Sequence, residues 1–88
     1  MIRRRVVVHG FVQGVFFRDT ARRMAGSRGV AGWIRNRSDG TVEAVFEGED
    51  EAVDAMVEFC RRGPRGAEVE DVRVRDEQPE GLEGFEVR

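Results

Sequence analysis

Eighty-eight residues leave room for one hydrophobic core and one domain, 1–88. Hydrophobic residues make up 40% of the chain and charged ones 36%, which excludes a disordered or fibrous protein. Fifteen basic residues against seventeen acidic ones give a formal charge of −2, which argues against a general nucleic-acid binder and against a membrane-surface module.

No apolar run approaches the ~20 residues of a membrane helix. The opening MIRRR has the positive flank of a signal peptide, but the apolar stretch behind it, Val6–Val8, is too short for one, so the expected location is cytoplasmic. The single cysteine, Cys60, excludes an internal disulfide and a cysteine-based metal cluster.

Taken in chain order, Arg4–His9 centres on three valines and reads as an interior strand. The arginines at 3–5 read as its solvated end. Gly10 to Gly14 punctuate the chain. Phe17–Arg28 then places Phe17, Ala21, Met24 and Ala25 on one helical face, with Gly29 as the stop. Val30–Asn36 and Thr41–Glu47 form two strands around the turn Arg37-Ser38-Asp39-Gly40. In the second of them Val42, Ala44 and Phe46 alternate with Thr41, Glu43 and Glu47, which predicts one buried face and one wet face. Glu49–Arg62 is a helix whose apolar stripe includes Cys60, read as a packed thiol. Glu68–Arg75 is a further strand whose phase slips at Glu70-Asp71, the mark of a bulge. Gln78–Gly84 is loop, and Phe85–Arg88 is a short last strand.

The order β-α-β-β-α-β is the ferredoxin-like α+β plan, an antiparallel sheet with both helices on one face. The third strand fits between the first two. The loop after strand one, the start of the first helix and the Asn36–Gly40 turn therefore meet at one end of the sheet, on strands about 10 Å apart. Gly10–Arg18 runs from strand to helix. Such a turn is either a tight connection or an anion cradle of main-chain N–H groups, to which Arg18 adds a charged fork. Asn36 either starts the hairpin turn or faces a ligand. His9 and Trp33 read as structural residues.

Val8–Arg18, VHGFVQGVFFR, and Gly32–Val42, GWIRNRSDGTV, closely resemble the two signatures of the acylphosphatase family. The resemblance extends over essentially the whole chain, including the closing Phe85-Glu86-Val87. Phe11 stands where relatives more often carry Arg or Tyr. The resemblance implies hydrolysis of the carboxyl–phosphate anhydride bond of a small acyl phosphate, without a metal or other cofactor. It implies Arg18 and Asn36 as catalytic side chains and the backbone of Val12, Gln13, Gly14, Val15, Phe16 and Phe17 as the phosphate-binding loop. Inorganic phosphate is then product and competitive inhibitor, and the enzyme works as a monomer with no nucleic-acid or membrane partner. The competing reading is a non-catalytic phosphate-binding module of the same fold, which has no use for a water-orienting amide at Asn36. An RNA-binding sheet would need exposed stacking aromatics that strands one and three lack.

Overall fold

Alternation along the first strand decides which side of the sheet the helices cover. In the computed structural model, which describes residues 1–88, strand β1 runs Ile2–Phe11 and extends past the expected Arg4–His9 at both ends. Val6 and Val8 are fully buried in the core, while Arg3 and Arg5 pair with glutamates on the opposite face. Helix α1 is Phe17–Arg28, β2 Ala31–Asn36, β3 Val42–Gly48, α2 Asp50–Arg62, β4 Glu68–Glu77 and β5 Phe85–Val87. Both helices pack on the Val6/Val8 face. There the Phe17 and Phe59 rings meet at 5.2 Å, and Cys60 is buried with its thiol pushed up to about 12 by desolvation.

The sheet order is β4-β1-β3-β2-β5. Its first four strands are antiparallel as expected, but β5 lies parallel to β2, so the sheet is mixed. Connection geometry explains the exception. Glu77 ends β4 beside Arg3, at the end of the sheet where β2 also starts. The chain crosses from one edge to the other, about 19 Å at four strand spacings, within reach of its seven connecting residues. Having crossed at that end, it can only run alongside β2 in the same direction.

The expected bulge is present. His9 pairs with Asp71 and Gly10 with Val69, so Glu70 is skipped. Gly10 is required there: a Cβ would stand 2.2 Å from the Glu68 carbonyl oxygen, at a φ of +129°.

The wet face expected for β3 is not found, and the Arg3–Arg5 run is not simply a solvated strand end. Every residue of β3 is buried. Arg3 and Arg5 both bond Glu77, Arg3 also bonds Glu47, and Arg5 and Arg35 share Glu43. The guanidinium groups of Arg5, Arg35 and Arg88 lie 5.4, 5.8 and 4.6 Å from the ring of Trp33. Only Arg4 turns to the helix side, where it pairs with Asp54 and Asp76. Alternation of polar and apolar residues marks two faces but does not show that long arginines can roof one of them.

Glu47 is 1% exposed and Arg3 5%. Burial alone would raise the Glu47 carboxyl, yet the N–H groups of Glu80, Gly81 and Leu82 at 3.0, 2.7 and 3.0 Å, together with Arg3, hold it below the ordinary range. Replacing Glu47 by Gln leaves Arg3 short of a buried counter-charge and should cost about 2–4 kcal/mol, read from urea unfolding at pH 7. Glu77, bonded by Arg5 and then Arg3, is lowered to about 2. Its depressed pKa stabilises the fold above the ordinary glutamate range. That contribution should disappear as the pH falls from that range towards 2. Thermal unfolding across this window should show a shallower acid limb in Glu77→Gln than in the parent.

Candidate active site

Beyond β1 the chain makes no regular structure until α1, yet apolar side chains pin it from below. Val12 and Phe17 are buried, and half-buried Val15 packs against the core. No main-chain carbonyl accepts a hydrogen bond from the N–H groups of Val12, Gln13, Gly14, Val15 or Phe16. Gly14 and Phe16 both have left-handed backbone, with φ of 75° and 62°. Phe16 is the sole non-glycine residue in this region, at a steric cost of about 1–2 kcal/mol. It precedes α1 as the N-cap without a capping side-chain bond, so the helix adds its own open donors to those of the loop.

Gln13 ties this loop to the neighbouring turn. Its Nε2 donates to the carbonyl oxygens of Arg37 at 2.8 Å and Thr41 at 3.0 Å. Those carbonyls also accept the Gly40 and Arg37 N–H groups that close the turn between β2 and β3. The side-chain bonds inside this turn are made by Asp39, whose Oδ1 accepts from the Thr41 hydroxyl and N–H at 2.6 and 3.0 Å. These bonds hold the Asp39 carboxyl below its ordinary range, the hydroxyl contributing most. The Asx role open to Asn36 is thus filled by Asp39, three residues on.

A pocket of about 600 Å³ opens where these elements meet, within the range of small-molecule sites. Of the expected site residues, Val12, Gly14, Phe16, Phe17, Arg18 and Asn36 line it; Gln13 and Val15 do not. Phe85 and Val87 form the β5 side, and Asp19 and Arg22 complete it. Arg18 donates from Nη1 to the main-chain oxygen of Arg88 at 3.0 Å, and the Arg88 N–H is itself bonded to the Ile34 carbonyl at 2.8 Å. The last strand therefore orients the arginine of the first helical turn. Neither His9 nor Trp33 lines the pocket. No three His, Cys, Asp or Glu side chains are grouped so that they could hold a metal ion.

A two-helix, ferredoxin-like sandwich thus brings open main-chain donors, an arginine and an unengaged amide to one pocket. The family model for acylphosphatase matches residues 4–87. An acylphosphatase of Haloarcula marismortui is 58% identical over 86 residues, covering 98% of this chain and 94% of that protein. The crystal structure of acylphosphatase from Bacillus subtilis superposes with a TM-score of 0.95 at 37% identity, over 100% of this chain and 99% of the other. An acylphosphatase from Coxiella burnetii gives 0.93 at 37% identity, over 99% and 92%. The chain belongs to the acylphosphatase family, hydrolases that act on acyl phosphate bonds.

Gln13→Glu replaces the NH₂ group with a carboxylate facing two carbonyls. It should lose about 1–3 kcal/mol of stability and lower turnover per folded molecule, because the loop and the Asn36 turn are no longer tied. Paired unfolding and activity measurements check this. Unchanged turnover in a folded Gln13→Glu protein would show that the tie has no part in the site.

Proposed function

We propose that this protein hydrolyses the carboxyl–phosphate anhydride bond of small acyl phosphates, with Arg18 and Asn36 as its catalytic side chains. The observation that carries the reading is that both residues line one pocket, beside loop N–H groups that no main-chain carbonyl occupies. In this reading those donors, rooted at Val12–Phe17, hold the phosphoryl oxygens. One N–H of the Arg18 guanidinium is taken by Arg88, which leaves the rest of its five donors for the substrate. Charge on the phosphoryl group is stabilised as the bond to the acyl oxygen breaks.

The chemistry asks for little more. Water forms the new P–O bond, the acyl oxygen leaves with the electron pair as a carboxylate, and both water protons remain on the phosphate product. A carboxylate with a pKa of about 4–5 departs without an acid to protonate it. Phosphoryl transfer through a loose transition state needs positioning more than a strong base. An amide supplies that: the Asn36 carbonyl oxygen accepts from the attacking water and fixes its approach. In this reading the enzyme is a monomer that acts in the cytoplasm on a diffusible substrate. Inorganic phosphate, bound by the same donors, competes with that substrate.

Asn36→Ala provides the test. Turnover should fall by about two orders of magnitude or more, while phosphate affinity, measured by competition, stays near that of the parent. A folded, phosphate-binding Asn36→Ala protein with full turnover would defeat the mechanism.

A further inference from the structure

Assigning the loop donors, Arg18 and Asn36 to the phosphoryl group and water leaves the apolar lining of the pocket unused. Val12 and Phe17 are buried and belong to the core, but Phe16, Phe85 and Val87 also line the pocket. Phe16 is 79% exposed, so its ring gains little from burial. It also holds a left-handed conformation that glycine adopts without steric cost. Neither packing nor backbone geometry gives the fold a reason for an aromatic residue at this position. Strain together with an exposed aromatic ring at a pocket points instead to a ligand contact.

We infer that Phe16 is the platform for the acyl group, and that with Phe85 and Val87 it selects acyl phosphates whose acyl group is aromatic. This rests on the functional reading above and names the substrate class within it. The Phe16 N–H belongs to the phosphate-holding loop, so the ring is rooted beside the group to which the acyl oxygen is bonded. Phe85 is a firm wall, since its ring stacks on buried Phe46 with centroids 5.8 Å apart and planes 11° from parallel. The charged part of the rim lies apart from this wall, on the first turns of α1, where Asp19 pairs with both Arg22 and Arg23 at 3.2 and 3.6 Å. A flat, apolar acyl group suits the side of the pocket formed by Phe16, Phe85 and Val87.

The test separates binding from turnover. Benzoylphosphonate and acetylphosphonate carry a P–C bond in place of the labile P–O bond, and calorimetry gives their affinities directly. The parent protein should bind the benzoyl compound about 3–10-fold more tightly, the advantage of one good aromatic contact. Phe16→Gly should bind both compounds alike, since the ring is lost while the phosphonate group is common to the two, with an unfolding temperature no lower than the parent's. Phe16→Tyr should keep the preference. Equal affinities in the parent, or a preference that survives Phe16→Gly, would overturn the inference. So would a Phe16→Gly protein that loses phosphate affinity and thermal stability together, since the ring would then serve the fold. Turnover of benzoyl and acetyl phosphate is measured in parallel. If neither is hydrolysed while the binding preference holds, the hydrolase reading fails and the acyl platform stands.

Discussion

The Glu47 carboxylate connects the fold to the site. It accepts three consecutive main-chain N–H groups from Glu80–Leu82, and so grips the connection where it crosses the end of the sheet. That crossing delivers Phe85–Val87 to the outer side of β2. From there Phe85 and Val87 wall the pocket and the main-chain oxygen of Arg88 orients Arg18. Arg3 makes the arrangement tolerable by balancing the buried charge. A group on the face of the sheet away from the helices thus bears on the geometry of a pocket it does not line.

The loop combines open donors with firm anchorage. Donors without a main-chain partner cannot stabilise their own loop, so its order has to come from elsewhere. Val12, Val15 and Phe17 supply it through the core, and Gln13 supplies it through two carbonyls of the adjoining turn. The Gly10 bulge lets β1 leave the sheet beside β4 at the start of the loop. The strained conformation of Phe16 persists because these supports leave the backbone little choice.

Much of this was legible from residues alone, for identifiable reasons. Helix α1 matches its expected bounds because a 3.6-residue stripe and a stop glycine agree. The bulge at Glu70 showed as a slip in the valine phase, and the Asp-Gly turn as a dipeptide with one strong preference. Arg18 and Asn36 could be brought to one place because strand order follows from element order. What stayed hidden depends on long side chains and a long crossing. The parallel direction of β5 is set by where the connection crosses. The burial of Glu43 and Glu47 follows from arginines on other strands, and the Gln13 tie spans 28 positions to Thr41. Sequence periodicity carries no trace of such partners.

The central place of β1 also governs the order in which the chain can assemble. Its inner neighbour β3 is some forty residues away, but its outer neighbour β4 pairs Arg3 with Glu77, almost the length of the protein. Such a distant partner arrives late, because the entropy of closing so large a loop comes before any contact rewards it. Until then Val6–Val8 forms the rim of an unfinished sheet, a β-branched run with unsatisfied main-chain groups that another chain could join. Three consecutive arginines immediately before it repel a second copy of the same segment during that interval. The residues that later pair with glutamates, and in the case of Arg4 with Asp54 and Asp76, thus also serve as gatekeepers against aggregation while the chain folds.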